Sequence, residues 1–294
     1  MSAVEAPARK RAVEYEARVV EVRRESHDTV TLLLDAGERA LDYRAGQFIN
    51  VDPHQFPALA SLTRYLEELK GRKEAARSYS LASAPHERLL AITVQDEQYV
   101  PGETRYPPLL SPYLVHGRLQ GATLRFAGFI GPYVLPDDAL ERTGELLHVI
   151  AGSGMVPSYS LIKDALHRGL PLRHTLLACN KTWEDILFRE ALEALEAAHP
   201  ERLRILHTLT RAPEGFAFSE RVRQGRVSEP LLRELMAAPD TCLVYICGPG
   251  ITPWERRRAL ESRETATPRF METVLGHLHA LGVEDRRIKR ETYG

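Results

Sequence analysis

The sequence predicts two domains, an antiparallel β-barrel followed by an α/β domain built on a parallel sheet. Its 294 residues exceed what one core usually needs and suffice for two. The first half alternates apolar and polar residues at period two, whereas continuous apolar runs alternate with helical patterns from residue 145 onward. We place the domains at 12–138, with an insertion at about 54–76, and at 145–294.

Short alternating runs rich in Val, Thr and Leu predict the strands of the barrel. The insertion differs, because Leu62, Tyr65, Leu66 and Leu69 have the i, i+3, i+4, i+7 spacing of an amphipathic helix. A short helix is also expected after Ser111. The predicted strands are 15–22, 29–34, 47–51, 77–83, 89–94 and 123–126.

The second domain reads as strand and helix in alternation, which indicates a parallel sheet covered on both faces. Thr252-Pro253-Trp254-Glu255 has the pattern of a capping box with proline at the first helical position, so one further helix should begin at Pro253. The other predicted elements are strands 146–151, 174–179, 203–208, 242–247 and 287–292, and helices 156–167, 183–198, 229–236 and 269–281.

Composition excludes several classes of function. A formal net charge of −1 with 27% charged residues provides no basic surface for nucleic acid. No apolar run approaches the roughly 18 residues of a membrane span, so we expect a cytoplasmic protein without a membrane partner. Three cysteines are too few for the four ligands of an iron-sulfur cluster, so any such carrier is another protein. No metal-ligand or Ser-His-Asp pattern occurs.

The first chemical motif is the run Arg77-Ser78-Tyr79-Ser80 in a predicted strand. The planar Arg77 fork suits a pair of phosphate oxygens, and the Tyr79 ring suits stacking against a flat ligand. Ser80 points to the opposite face, where its hydroxyl could reach a ring edge. The alternative is that Arg77 and Tyr79 are structural residues of a half-buried strand.

Two further motifs lie where α/β sheets bind ligands. Gly152-Ser153-Gly154 joins a strand to a helix, so its backbone amides could hold a phosphate at the helix N-terminus. Pro157 replaces the third glycine of the usual dinucleotide fingerprint. Cys247-Gly248-Pro249 ends a predicted parallel strand, the usual ligand edge. Either motif could instead be structural, with Cys247 as a small buried hydrophobic residue.

In chain order these motifs resemble the ferredoxin-NADP reductase-like flavoenzymes. Their flavin motif Arg-x-Tyr-Ser is matched by Arg77, Tyr79 and Ser80, and their Gly-Gly-Thr/Ser-Gly-x-x-Pro is matched except that Ala151 replaces the first glycine. The resemblance implies an FAD-binding β-barrel domain followed by an NAD(P)-binding α/β domain. It therefore implies the cofactors FAD and NADH, with NADPH as an alternative.

The resemblance also implies roles for individual residues. Arg77 would hold the FAD pyrophosphate, Tyr79 would pack on the isoalloxazine, and Ser80 would hydrogen-bond near the reactive flavin nitrogen. Cys247 would be a neutral positioning thiol in the nicotinamide site, so Tyr79, Ser80 and Cys247 are the expected catalytic residues. The residues implied for the pyridine nucleotide are Gly152, Ser153, Gly154, Cys247, Gly248 and Pro249.

Two departures from the family concern Ser111 and Tyr293. Relatives carry Gly-x-x-Ser at the FAD phosphate, whereas this chain has Pro108-Leu109-Leu110-Ser111, in which only the serine is retained. Ser111 is expected to offer its hydroxyl and amide. Many relatives end in an aromatic residue that covers the flavin, so Tyr293 is either that cover or an ordinary residue of the last strand.

The nucleotide preference depends on the segments after the second and third strands of the α/β domain. Residues 180–187 and 209–215 look like NADH-cytochrome b reductases and nitrate reductase flavin domains. A carboxylate at Asp185 near the ribose would repel a 2′-phosphate and favour NADH. Alternatively, Asp185 caps a helix with Thr182, and Lys181 or Arg211 accepts the phosphate of NADPH.

The expected function is an FAD-dependent NAD(P)H reductase that passes electrons singly to a separate protein, such as a ferredoxin, an oxygenase component or a haem protein. The charged run Arg256-Arg257-Arg258, together with the inserted helix, could frame the flavin and receive an acidic ferredoxin, or could be a solvated surface. The alternatives are a self-contained flavin oxidase or small-molecule reductase, and an inactive nucleotide-sensing module.

Overall fold

The computed structural model describes residues 13–39, 41–102, 104–236 and 238–293, which form two six-stranded sheets. An antiparallel sheet precedes a parallel one, so the predicted fold class is confirmed. Residues 12 and 294, the outer limits of the predicted domains, lie outside the described residues. The domain limits therefore stay a prediction.

The first sheet curls into a half-barrel whose strand order is β4-β3-β6-β1-β2-β5. Leu81, directly after the edge strand β4, forms a bridge with Ile92 in the opposite edge strand β5. Alternate residues of the strands, such as Leu32 and Leu34, fill the interior. The strands are β1 Glu14–Arg24, β2 Thr29–Asp35, β3 Phe48–Val51, β4 Arg77–Ser80, β5 Leu90–Gln95 and β6 Thr123–Ile130.

The insertion contains the predicted helix, α1 Ala60–Lys70, and the second helix of the barrel is α2 Ser111–His116. The predicted apolar stripe of α1 is not its buried face. Leu66 enters the barrel core, but Leu62, Tyr65 and Leu69 are exposed. The spacing therefore identified the helix correctly without identifying the side that packs, because α1 carries apolar residues on both sides.

The second sheet is parallel with the order β10-β9-β8-β7-β11-β12, and apolar clusters cover both faces. Its strands are β7 Glu145–Ala151, β8 Arg173–Asn180, β9 Leu203–Leu209, β10 Val222–Gln224, β11 Leu243–Pro249 and β12 Ile288–Tyr293. The helices are α3 Ala139–Arg142, α4 Met155–His167, α5 Arg189–Ala198, α6 Glu229–Leu235, α7 Pro253–Glu261 and α8 Phe270–Ala280.

Three local predictions about these elements had different outcomes. The capping box is confirmed, because the Thr252 hydroxyl accepts from the Glu255 amide at 3.2 Å and α7 begins at Pro253. The predicted start of the next helix at residue 183 was wrong. Phe188 has a left-handed φ of 56°, and α5 begins only at Arg189. The short strand β10 was missed, because three residues are too few to give a period-two signal.

Contacts between α4 and the barrel determine how the two sheets face each other. The Ser160 hydroxyl donates to the Ser83 carbonyl at 2.6 Å, and Lys163 forms an ion pair with Glu87. The fully buried Tyr133 hydroxyl lies 2.8 Å from that of Ser158. These contacts hold β4 opposite the carboxyl ends of the parallel strands. None of the helices in the described ranges has the length and apolar character of a membrane span.

Candidate functional site

A cleft of about 1360 Å³ lies between β4 of the barrel and the carboxyl ends of the parallel strands. This volume exceeds the roughly 300 to 1,000 Å³ typical of a site for one small ligand. The cleft is lined by residues from both halves of the chain. The sequence-predicted site residues that line it are Arg77, Tyr79, Ser80, Ser111, Gly152, Ser153, Asp185, Arg211, Gly248, Pro249 and Tyr293.

On the barrel side, β4 is an edge strand, so the cleft extends around it and side chains from both of its faces reach the cleft. Arg77 is exposed, and the Tyr79 ring is half-buried against the barrel core. Ser80 is buried. Ser111 opens α2, and its hydroxyl accepts from the Glu97 amide at 3.3 Å. A guanidinium, an aromatic ring and a hydroxyl therefore line one wall.

On the α/β side, the turn Gly152–Gly154 leads directly into the thirteen-residue helix α4. Gly152 has a φ of 53°, which favours glycine. A Cβ on Gly154 would lie 2.2 Å from the carbonyl oxygen of Cys247, so only glycine lets the turn pack against β11. The turn thus places the first amides of α4 at the cleft, where they suit an anion, while Gly154 itself lies behind the lining.

Cys247 lies behind the cleft and does not line it. It is fully buried in β11, beside Glu291 of β12 in the strand register. Burial, with a smaller effect from the Glu291 carboxylate, raises the pKa of the Cys247 thiol well above its usual value. The sulfur is therefore a neutral thiol near neutral pH. Contact of Cys247 with a nicotinamide stays a prediction.

Glu291 is the residue of the cleft that the sequence analysis missed. Ser80 Oγ donates a hydrogen bond to Glu291 Oε1, and the Tyr293 hydroxyl lies 2.6 Å from Ser80 Oγ and 3.1 Å from Glu291 Oε1. Barrel and α/β domain thus share one hydrogen-bonded cluster. A signal existed, because Glu291 and Tyr293 are two apart and therefore point to the same face of β12.

The Glu291 carboxyl also has an unusual environment. Within the described part of the chain, its Oε2 is buried and has no hydrogen-bond partner. Burial raises the pKa of Glu291, although the contacts with Ser80 and Tyr293 act in the opposite direction. A buried oxygen without a partner indicates a donor that the protein itself does not supply. The cleft therefore suits a ligand with a polar edge beside Ser80.

At the far end of the cleft, Asp185 makes contacts that compete with a ligand. Its Oδ2 accepts from the Thr182 amide at 3.0 Å and from the Thr182 hydroxyl at 3.1 Å, while Oδ1 lies 3.6 Å from His27 Nδ1. Because α5 starts later, this is a turn and not a helix cap. Lys181 and Arg211 are exposed nearby, and neither forms an ion pair among the residues described.

These features fit a flavin dinucleotide beside β4 together with a pyridine nucleotide at the Gly152–Gly154 turn. Arg77 and the hydroxyl of Ser111 match phosphate oxygens, and Tyr79 matches a flat ring. The amides at the start of α4 match a second pyrophosphate. The cleft has the volume for both ligands.

Comparison with known proteins gives matches in both halves of the chain. Residues 149–252 match the family model described as an oxidoreductase NAD-binding domain. NADH-cytochrome b5 reductase 1 of Bos taurus is 40% identical over 111 residues, which are 37% of this chain and 35% of that protein. The ferredoxin reductase component of 3-ketosteroid-9-alpha-monooxygenase from Mycobacterium tuberculosis is 29% identical over 241 residues, 80% of this chain and 57% of that protein.

The overall fold has a solved counterpart in the flavohem-like FAD/NAD-binding domain of nitric oxide dioxygenase from Vibrio cholerae O1 biovar El Tor. The TM-score is 0.68 at 22% identity, over 95% of this chain and 98% of that one. At this identity the likeness concerns the fold. The chain spans 35% and 57% of the length of the two curated relatives named above.

Replacement of Glu291 by glutamine tests the buried carboxyl. Since burial raises its pKa, the folded chain binds this proton more tightly than the unfolded chain does. The contribution to stability is full below the ordinary value of 4.5 and is lost as the pH rises through the folded-state pKa. Glu291→Gln should therefore melt above wild type at about pH 8, and by less at about pH 5, in thermal unfolding followed by circular dichroism.

The matched control is Glu193→Gln, which removes the same charge from an exposed position in the middle of α5. Its melting temperature should follow that of wild type at both pH values. A difference between Glu291→Gln and wild type that stays constant with pH would contradict the raised pKa.

Proposed function

We propose that this chain, which belongs to the ferredoxin-NADP reductase-like family of FAD/NAD-binding oxidoreductases, takes hydride from NADH and passes electrons singly to a separate protein. The observation that carries the proposal is the single cleft in which Ser80 of the flavin motif contacts Glu291 and Tyr293 of the α/β domain. A cytoplasmic location, expected from the sequence, is part of the same proposal.

The barrel residues would hold FAD. Arg77 and Ser111 would bind the pyrophosphate by charge-assisted and neutral hydrogen bonds, and Tyr79 would pack on the ring system. FAD supplies the chemistry that side chains lack, since it accepts two electrons with a hydride and releases them one at a time. What this wall of the cleft does is bind the cofactor and orient its ring.

The α/β residues would hold the pyridine nucleotide. The amides of Gly152, Ser153 and the first turn of α4 would bind its pyrophosphate. Gly248 and Pro249 would line the nicotinamide end, with the neutral Cys247 thiol packed behind them. Tyr293 lies against Ser80, so its ring would cover the reacting face and exclude water until the nicotinamide enters.

Ser80 and Glu291 would hold and transfer a proton at the edge of the flavin ring. Burial raises the pKa of Glu291, and Ser80 Oγ, which lines the cleft together with Glu291, donates a hydrogen bond to Glu291 Oε1. A proton held on the Glu291 carboxyl can therefore reach the cleft through the Ser80 hydroxyl.

The electron acceptor would dock on a cationic rim that we define as Arg105 together with Arg256 and Arg257 of α7. Lys70 Nζ lies 4.8 Å from the centre of the Tyr106 ring, and the Arg105 guanidinium lies over both Tyr106 and Trp254. Contacts thus join α1, residues 105–106 and α7. Arg256 and Arg257 are exposed, which suits an acidic ferredoxin.

The first test is the absorption spectrum of the purified protein before and after anaerobic NADH. We expect one bound FAD, bleached by NADH, and a loss of FAD in Arg77→Ala because a charged hydrogen bond of roughly 1.5 to 3 kcal/mol is removed. A colourless protein would support the nucleotide-sensing alternative. Rapid oxygen consumption without an added carrier would support the oxidase alternative. Unchanged FAD affinity in Arg77→Ala would mean that Arg77 does not bind the pyrophosphate.

The nucleotide preference can be tested at Asp185. We expect a higher kcat/KM for flavin reduction with NADH than with NADPH. Asp185→Ser should lower the ratio of the two kcat/KM values by roughly fivefold or less, because a charge near the protein surface contributes about 0 to 1 kcal/mol. Thr182→Val is the control, since it loosens the same turn and keeps the carboxylate. Preference for NADPH in wild type would instead assign the phosphate to Lys181 and Arg211.

The rim is tested by reversing its charges. Arg256→Glu with Arg257→Glu should slow reduction of an acidic ferredoxin at low salt, less so at high salt, and leave reduction of a small neutral dye unchanged. Arg258 is left intact because it donates to the Gly102 carbonyl. The matched control reverses Arg118 and Arg204, which are exposed elsewhere. Equal loss with ferredoxin and dye would mean that α7 shapes the nucleotide pocket instead.

A further inference from the structure

The insertion ends beside the flavin motif, in a buried charge cluster that the proposed function does not use. We propose that Glu74 is a positioning residue, which holds Arg77 in the orientation that binds the FAD pyrophosphate. The inference rests on the proposed function, because it takes Arg77 to be the phosphate-binding residue.

Glu74 contacts two cations from a buried position. Its side chain is 3% exposed; Oε2 lies 3.5 Å from a terminal nitrogen of Arg77, and Oε1 lies 2.5 Å from Lys70 Nζ. Lys70 is 9% exposed, whereas Arg77 is 48% exposed and lines the cleft. Glu74 thus attracts one terminal nitrogen of the Arg77 guanidinium. The other N–H donors of the guanidinium remain available to a ligand in the cleft.

The backbone and the helix before it keep Glu74 in place. The Glu74 amide donates to Glu67 Oε1 at 2.8 Å, and α1 ends at Gly71 with a left-handed φ of 65°, which turns the chain back toward Arg77. Leu66 fixes α1 in the barrel core. The carboxylate therefore lies in a short irregular segment between α1 and β4, and contacts with α1 hold both its backbone and its side chain.

The insertion also reaches the second group expected at the pyrophosphate. The Phe56 ring lies 4.9 Å from the ring of Tyr113 in α2, the helix that begins at Ser111. The insertion therefore contacts both Arg77 and the helix that begins at Ser111.

The contact with Glu74 would favour FAD binding because it orients the Arg77 guanidinium before the phosphate arrives. A free arginine loses much side-chain freedom when it binds a phosphate, and a carboxylate that already holds one side of the guanidinium reduces that loss. Lys70, Glu74 and Arg77 together keep a net charge of +1. The cluster can therefore orient Arg77 and still attract an anion.

The test measures FAD binding to the full-length, deflavinated protein by quenching of flavin fluorescence. Glu74→Gln should weaken FAD binding about tenfold, in the range of couplings between contacting residues. Riboflavin, which has no phosphate, should bind to this variant and to wild type alike. The matched control is Glu68→Gln, which changes an exposed glutamate on α1. This variant should bind FAD as wild type does.

A double-mutant cycle with Arg77→Ala separates positioning from folding. If Glu74 acts through Arg77, then Glu74→Gln has no further effect on FAD binding once Arg77 is alanine. An equal loss in both backgrounds, or an equal loss for riboflavin, would overturn the inference. Should Glu74→Gln fail to fold, the double variant Lys70→Gln with Glu74→Gln removes both buried charges together. It should bind FAD about tenfold more weakly than wild type.

The outcomes for the two proposals differ. If wild type binds no FAD, the proposed function fails. If wild type binds FAD and Arg77→Ala weakens it while Glu74→Gln does not, the proposed function stands and the role of Glu74 is overturned.

Discussion

The hydrogen-bonded contact of Ser80 with Glu291 and Tyr293 is the constraint on which the arrangement of this protein depends. Ser80 lies on the edge strand of the half-barrel, and the other two lie on the edge strand of the parallel sheet. The contact forms only because α4 packs on the barrel loop near Ser83. The cleft therefore exists as a property of both domains together, with each sheet supplying one wall.

Burial and charge differ between the middle and the ends of the cleft. The buried end contains Glu291 and Cys247, and burial raises the pKa of both groups. The open ends carry cations, with Arg77 on the barrel and Lys181 and Arg211 at the strand ends. Phosphates suit the cationic ends and flat rings suit the protected middle. This division is the physical basis for assigning ring chemistry beside Ser80 and phosphate binding at the two ends.

The insertion shows how an added segment can serve an existing site. Its helix packs through Leu66 into the barrel, places Glu74 behind Arg77, and leaves Leu62, Tyr65 and Leu69 exposed. The same segment carries Lys70, which contacts the ring of Tyr106 beside α7. The insertion thus connects the cofactor site with the segment next to the rim through the buried Lys70.

The sequence by itself determined the elements whose signals are local. Period-two strands, the Gly152–Gly154 turn and the capping box at Thr252 are set by neighbouring residues. The fold class predicted from the strand and helix patterns is confirmed, and so is the family resemblance predicted from the motifs at Arg77, Gly152 and Cys247. Tertiary structure decided the buried face of α1, the late start of α5 and the short strand β10, since packing partners distant in sequence outweigh local preference there. It also decided the place of Glu291, because its contact with Ser80 joins residues 211 positions apart, and no local pattern encodes such a contact.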